Sequence, residues 1–471
     1  MWNINYRELQ ELLKQLYPKE QLTINSKSRN YQSNGKLYIQ GIEYTPALPP
    51  LPWEREFLIG KHPHKEIYAY SSISDDRKTS FVSLFEPTSP NMARSFNVGK
   101  RGYNLNPRFS PDGNQIAFIS GKDHGVISLF GDVIVTNSSN TEENNSKYEN
   151  ITKGTSLEGI CFKIEWKSDR IIRVFFYNKG RKLSKDYSLI IKTFDNCLKY
   201  TRNRENDYLE EEKMELCSYI TSDNTKSYYW FAHPNKERDT KRSLLLCQGG
   251  PHHAWLPKNE SGAYNIELLQ HLGYSIIMPI VHGMPGISKE FDDQVRGDWG
   301  GQCINDYLSA LDTAIEKQGL DKNKVAVLGH SFGGFCAYSM NVRHPDRFRC
   351  VVSESGPFNL ESFYDYCKNK SHNDTIISEM HNGLDNPDGE IIRDKMFEQS
   401  PHRYVNDKSA PILIIHGEDD KRVPCEQSKT AAEAFNVTPI LYQGEEHSIL
   451  TPQNIIDRYI KILTFLDKNM K

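Results

Sequence analysis

Val325-Ala326-Val327-Leu328-Gly329-His330-Ser331-Phe332-Gly333-Gly334-Phe335-Cys336-Ala337-Tyr338-Ser339-Met340 is the stretch on which the reading of the fold turns. Val325 to Leu328 read as a buried strand and the run from Gly333 as a helix, so one passes directly into the other through Gly329-His330-Ser331-Phe332-Gly333. Gly329 and Gly333 carry no side chains to clash in so tight a turn, and Ser331 at its apex presents a hydroxyl above the edge of a sheet. A bare Gly-x-Ser-x-Gly also arises by chance as a glycine-rich structural turn. The strand before it and the helix after it are what favour a nucleophile.

Outward from this point, apolar runs at Leu244 to Cys247, Ser275 to Ile280, Cys350 to Ser353 and Ile412 to Ile415 alternate with helical patterns. Ile304, Tyr307, Leu308, Leu311 and Ile315 recur at helical spacing, as do the apolar residues of Ile455 to Leu466. Strand and helix in alternation predict an α/β domain with a mostly parallel sheet and helices on both faces, over residues 216–471.

A serine hydroxyl needs a base to take its proton and donors to hold the oxyanion that its attack creates. After a nucleophile on such an elbow, an acid and then a histidine should follow, each on a loop beyond a strand. Ile412-Leu413-Ile414-Ile415 runs into His416-Gly417-Glu418-Asp419-Asp420, and Ile440-Leu441-Tyr442-Gln443 into Gly444-Glu445-Glu446-His447. His447 is the predicted general base, because an imidazole accepts and returns a proton near neutrality. Asp420 and Asp419 are both candidate orienting acids, and spacing alone does not separate them. His330, beside the nucleophile, reads as a packed or rim residue. The Phe332 N–H, at the start of the following helix, is one expected oxyanion donor. Gly250, in Gln248-Gly249-Gly250-Pro251 after the strand at Leu244, is the expected source of the second.

The N-terminal half has a different texture. Residues 1–50 read as an N-terminal arm, with Leu9, Leu12, Leu13 and Leu16 forming a helical stripe. Residues 51–215 are rich in short β-like runs separated by polar turns, with a Pro111-Asp112-Gly113 turn between two of them and a fainter echo at Ile164 to Arg170. The turn resembles the blade motif of TolB-like propellers, whose blades repeat at about 40–50 residues. Three or four blades fit here. The Asn-rich stretch Asn137 to Asn150 reads as an exposed loop.

Composition narrows the function classes. A formal net charge of −3 over 471 residues, with no basic stripe, argues against nucleic acid as a partner. No apolar run approaches the length of a membrane span, and the start lacks the apolar core of a signal peptide, so a soluble cytoplasmic protein is expected. Nine scattered cysteines read as reduced thiols. His62-Pro63-His64 and His252-His253 have no partner cluster at ligand spacing, so no metal or other cofactor is expected. Oligomeric state is left open, self-association included.

Taken in order, Gly249-Gly250-Pro251, Lys289-Glu290-Phe291 with Arg296-Gly297-Asp298-Trp299-Gly300-Gly301, Gly329 to Gly334, His416 to Pro424 and Gly444 to His447 resemble the prolyl oligopeptidase family of serine peptidases. The likeness is to its acylaminoacyl-peptidase and dipeptidyl-peptidase branches, over roughly Leu216 to Leu466. It implies an α/β-hydrolase domain preceded by a β-propeller lid, Asp420 as the acid, and Arg422 as a holder of a substrate carbonyl. It also implies an apolar specificity pocket near Ser355-Gly356-Pro357-Phe358 and Phe363-Tyr364, with Phe358 and Tyr364 as substrate-binding candidates. The run Leu209 to Glu212 is similar to the glutamates with which dipeptidyl peptidases hold a substrate amino terminus, although a solvated charge run is the plainer reading. Two departures stand out: Gln248 where the acylaminoacyl branch has His, and a β-rich half too short for seven blades. The implied activity is hydrolysis of short peptides or peptide-like amides through an acyl-enzyme on Ser331. An esterase or transacylase uses the same triad, and a catalytically inactive binding scaffold is the reading from outside the enzyme class.

Overall fold

The computed structural model describes residues 11, 13, 31–33, 36–40, 42–47, 59–73, 80–89, 94–96, 104–121, 131–139, 148–153, 161–176, 187–192, 198–202, 214–252, 255, 260–261, 264–284, 287–369, 374–383 and 386–471. The chain divides into two compact units, one built on Asp207–Met284 and Asp293–Lys471 with Met1–Ile24, the other on Asn25–Asn206 and Pro285–Asp292. Of the expected N-terminal helical stripe, Glu11 and Leu13 are described, both helical, and Leu13 is fully buried. The acidic run at 209–212, residue 253 and residues 140–147 of the Asn-rich stretch lie outside the described residues. Among the described residues no helix is long and apolar enough to cross a membrane.

The larger unit is one eight-stranded sheet. Its strands are β1 (Met214–Ile220), β2 (Lys226–Ala232), β3 (Arg242–Cys247), β4 (Tyr274–Pro279), β5 (Val325–His330), β6 (Cys350–Glu354), β7 (Ile412–Gly417) and β8 (Ile440–Tyr442). Their order across the sheet is β1-β2-β4-β3-β5-β6-β7-β8. β1, β2 and β4 pair antiparallel and every other pairing is parallel. Among the described residues, helices that accompany it include α1 (Ile266–His271), α2 (Gln302–Gln318), α3 (Phe332–Arg343), α4 (Leu360–Lys368), α5 (Asp374–Met380), α6 (Gly389–Phe397), α7 (Glu426–Phe435) and α8 (Pro452–Asn469). This is the mostly parallel α/β domain that the alternating pattern predicts, in the α/β-hydrolase form that the resemblance implies.

The central strands are buried along their whole length because helices cover both faces, which is why they read as continuous apolar runs. In α2 the predicted stripe is the buried face, with Ile304, Tyr307, Leu308 and Leu311 inside. Its end is set by Gly319 at φ 63°, whose N–H donates to the Ile315 carbonyl. α8 buries Ile455, Tyr459, Ile462, Leu463 and Leu466.

The second unit is a succession of antiparallel meanders. Three have four strands: Ile59–Lys61 to Arg94–Phe96, Asn104–Phe109 to Glu149–Asn150, and Cys161–Ser168 to Leu198–Arg202. A three-stranded sheet over Tyr31–Ser33, Lys36–Ile39 and Ile42–Tyr44 precedes them. The expected N-terminal arm therefore ends sooner: Leu37 and Ile39 pack with Ile59, Tyr68, Tyr70 and Phe85 of the next sheet. Two apolar residues in a polar surround gave too short an alternation to reveal that strand.

Each consecutive pair of sheets encloses its own apolar layer. Ala69, Val82, Leu84, Phe96, Phe109, Ile116, Phe118 and Ile134 fill one, and Ala117, Ile119, Val133, Val135, Ile151, Cys161, Ile164, Ile172 and Val174 the next. Gln115–Ser120 lies between the two, so Ile116 and Phe118 face one layer while Ala117 and Ile119 face the other. The Pro111-Asp112-Gly113 turn joins Asn104–Phe109 to Gln115–Ser120, with Asp112 Oδ1 accepting from Ser110 Oγ at 2.6 Å and from Asn114 N at 3.0 Å. His62 Nδ1 accepts from the N–H groups of His64 and Lys65 at 3.0 and 3.1 Å, so it caps its own turn.

Candidate active site

Ser331 follows the last residue of β5 and N-caps α3 at φ 60°, ψ −125°, a left-handed conformation that a residue with a side chain adopts only where its surroundings enforce it. Three contacts enforce it. The Ser331 N–H donates to the Glu354 carbonyl of β6 at 2.8 Å. A Cβ on Gly329 would stand 2.0 Å from the Gly333 carbonyl oxygen, and one on Gly333 would stand 2.2 Å from that of Cys247. The turn is therefore folded on itself and pressed against the end of β3. Gly333→Ala is expected to remove several kcal/mol of stability, by the scale of overpacking against rigid backbone, visible as a lower urea midpoint.

The Ser331 Oγ lies 2.9 Å from His447 Nε2, and His447 Nδ1 lies 2.7 Å from Asp420 Oδ2. An ionised carboxylate only accepts, so Nδ1 carries the hydrogen and the Nε2 lone pair faces the serine hydroxyl. Burial alone would raise the Asp420 carboxyl, but hydrogen bonds from His416 and His447, the His447 charge and the Val423 N–H together hold it far below the usual carboxylate range. Asp420 is buried and Asp419 is exposed, with its N–H on the Glu445 carbonyl. The geometry thus separates two residues that spacing left equal.

Around the oxyanion position, Phe332 is the first residue of α3, so its N–H has no partner within the helix. The Gln248 N–H is taken by the Tyr307 hydroxyl at 3.1 Å. A Cβ added to Gly249 would lie 3.4 Å from Ser331 Cβ and 3.1 Å from the His330 carbonyl oxygen, which puts the Gly249-Gly250 backbone beside the nucleophile. Among the described residues no group of three or more His, Cys, Asp or Glu is arranged to hold a metal ion.

Residues 260–471 match the model of the prolyl oligopeptidase family. That stretch takes in 212 of the 471 residues. Dipeptidyl-peptidase 5 of Porphyromonas endodontalis is 32% identical over 258 residues, 53% of this chain and 37% of that protein. Its counterpart in Porphyromonas gingivalis is 27% identical over 497 residues, 93% of this chain and 70% of that protein. The chain thus spans between about a third and about two thirds of the length of these relatives. Among solved structures, Pyrococcus horikoshii acylaminoacyl peptidase superposes with a TM-score of 0.65 at 15% identity, over 93% of this chain and 66% of that one. A puromycin-hydrolyzing peptidase of Mycobacterium tuberculosis gives 0.60 at 15%, over 92% and 73%. These likenesses show a shared fold. The three residues of the Ser331–His447–Asp420 relay all lie inside the stretch that matches the family model.

The substrate-binding candidates separate. Phe358 is fully buried, its ring packed on Tyr338 at 5.1 Å and Phe435 at 5.8 Å, so it fills core between α3 and α7. The Tyr364 hydroxyl meets His381 Nε2 at 3.0 Å and the Arg393 guanidinium lies over its ring at 5.3 Å, tying α4 to α5 and α6. Arg422 is exposed two residues beyond Asp420, and its N–H donates to Asp420 Oδ1 at 2.8 Å. His252, just beyond the Gly249-Gly250-Pro251 turn, is buried, with Nδ1 on the Gly283 carbonyl at 2.9 Å and Nε2 3.0 Å from Glu379.

Sequence reasoning missed two supports of His447. Glu445 accepts from the N–H groups of Leu450 and Thr451 and from Asn454 Nδ2 at 2.8, 3.0 and 2.7 Å, fastening the loop that carries the histidine. Beside exposed Glu446 it looked like part of a charged surface run, and only its burial distinguishes it. His330, half-buried, donates from Nε2 to the His447 carbonyl at 2.6 Å. Burial, then the neighbouring His447, pushes its pKa down to about 4.

The unfolded imidazole titrates near 6.5, so the unfolded chain takes up that proton first; stability is intact above this pH and falls as pH drops toward 4. The full offset is on the order of 3 kcal/mol, which residual solvent contact reduces to roughly 2. Thermal melts at pH 7 and pH 4.5 should show a larger loss for the native chain than for His330→Gln. Equal losses would remove His330 from the account of acid lability.

Proposed function

We propose that this chain is a serine peptidase or amidase that cleaves short peptides or peptide-like amides through an acyl-enzyme on Ser331. The observation that carries the reading is the continuous relay Ser331 Oγ, His447 Nε2, His447 Nδ1, Asp420 Oδ2, at 2.9 and 2.7 Å across its two hydrogen bonds. Ser331 Oγ adds to the scissile carbonyl while its proton passes to His447 Nε2, and Asp420 stabilises the imidazolium. The Phe332 N–H and the Gly250 N–H hold the oxyanion. As the C–N bond breaks, the same proton goes to the departing amine nitrogen, and water repeats the sequence on the ester to release the acid. Arg422, exposed on the acid loop, is the proposed holder of a second substrate carbonyl, and Tyr364 a wall of the acyl-side pocket.

The choice of amide over ester rests on the relatives, which are named as dipeptidyl-peptidases, an acylaminoacyl peptidase and a puromycin-hydrolyzing peptidase. A fluorophosphonate probe should label the folded protein, and chromogenic free-amine dipeptide and N-acyl-aminoacyl amides should both be compared with simple esters. Ester turnover with no amide turnover would reject the peptidase reading, and an unlabelled folded protein would favour the scaffold.

A further inference from the structure

His416 is the penultimate residue of β7, and its imidazole is fully buried with both nitrogens engaged. Its Nε2 lies 3.0 Å from Asp420 Oδ2 and 2.9 Å from the Val423 carbonyl oxygen, both of them acceptors. The hydrogen therefore sits on Nε2, and Nδ1 accepts from the Ser428 hydroxyl of α7 at 2.7 Å. The Asp420 oxygen that His416 reaches is the same Oδ2 that receives His447 Nδ1–H. The other oxygen, Oδ1, takes the N–H groups of Arg422 and Val423 at 2.8 and 3.0 Å. Four donors thus converge on one buried carboxylate, and only one of them belongs to the base.

We infer that His416 is a positioning residue for the hydrolytic reaction: its N–H draws charge from Asp420 Oδ2 and fixes the carboxylate's plane, and through it sets the basicity and direction of His447. The inference rests on the triad reading above. A carboxylate accepting from two imidazoles at one oxygen shares its charge between them, so it stabilises the His447 imidazolium less than a carboxylate held by His447 alone. Without the His416 donor the imidazolium is held harder, the base ionises at higher pH, and the acid limb of the kcat/KM profile moves upward. A misaligned carboxylate also lowers kcat, while a group that does not meet substrate leaves KM alone.

Other ionisable groups face this cluster. His330 packs on His447 with ring centroids 4.8 Å apart. Tyr366 of α4, whose hydroxyl donates to the Lys421 carbonyl at 2.9 Å, feels the Asp420 charge, and it titrates far above the acid limb. Arg422 and the exposed Lys421–Glu446 pair lie in solvent on the acid and base loops, and Glu426 starts α7. None of these is altered by changing His416.

The test compares native enzyme with His416→Leu, His416→Gln and Ser428→Ala, on an ester substrate and with fluorophosphonate labelling, from pH 5 to pH 9. For His416→Leu, kcat is expected to fall about tenfold or more with KM within about twofold, and the acid limb to rise by roughly half a unit or more. His416→Gln, whose amide restores a donor toward Oδ2, should recover most of both. Ser428→Ala, which removes the hydroxyl that holds Nδ1 and so loosens the ring against Asp420, should shift the limb the same way by less, with kcat down about threefold. A folded His416→Leu with native kcat and limb overturns the inference, as does lost kcat with an unmoved limb and no recovery by Gln. Should His416→Leu fail to fold, a Ser428→Ala enzyme with native kcat and limb overturns it. An unlabelled native enzyme would instead overturn the triad reading.

Discussion

Ser331→Ala and His447→Ala are each expected to lower kcat by about 10⁵ to 10⁶-fold, and Asp420→Asn by about 10⁴-fold, with Asp419→Asn close to native. The ordering follows from the geometry. Ser331 and His447 exchange the proton directly at 2.9 Å, whereas Asp420 acts through the histidine, and an amide in its place presents the wrong partner to Nδ1. Because the three work as a unit, the double variant Ser331→Ala/His447→Ala should be no slower than either single one. Steady-state rates per mole of folded protein provide the measurement. An Asp419→Asn enzyme as impaired as Asp420→Asn would contradict the placement of the acid.

Glu354→Gln should be the most destabilising conservative change near the site. Glu354 closes β6 and its carboxylate meets the Arg458 guanidinium of α8, with Nη2 3.0 Å from Oε1 and Nε on Oε2. Both side chains are nearly inaccessible, at 3% and 6%. Burial would lower the Arg458 pKa, but the Glu354 charge reverses that and holds the guanidinium charged well above its ordinary range. Removing the carboxylate takes the counter-charge from a buried cation, which costs about 3–5 kcal/mol. In a unit of this size that lowers the melting temperature by about 10 °C. The double variant Glu354→Met/Arg458→Met should recover much of the loss, since neither charge then remains. If it is no more stable than Glu354→Gln, the penalty lies in packing and not in the orphaned charge.

The legible parts of this chain were those with a period or a forced order. The buried strands from Leu244 onward, the α2 stripe and the elbow at Ser331 all follow from patterns that a covered parallel sheet imposes. His447 followed from the strand end that delivers it, whereas Asp420 was separated from Asp419 only by the family resemblance. Residues that act through burial were not legible. Glu445 and Glu446 are chemically the same, and His252 and His416 look like loop and strand-end histidines until their neighbours are known. Phe358 was offered as a pocket wall only by the family resemblance, and its fully buried ring packs on Tyr338 and Phe435. The short strands at 31–44 escaped because three-residue runs carry almost no alternation.

The sheet order carries a consequence for how the molecule is made. Ser331 stands on β5, Asp420 after β7 and His447 after β8, a strand of three residues at the far edge. The buried Arg458 that meets Glu354 beside the nucleophile comes later still, on α8. A chain emerging from the ribosome therefore forms its elbow more than a hundred residues before the base that arms it. Through that interval the growing polypeptide holds a serine with no partner to activate it. On the triad reading, the site is complete only once the edge strand has docked.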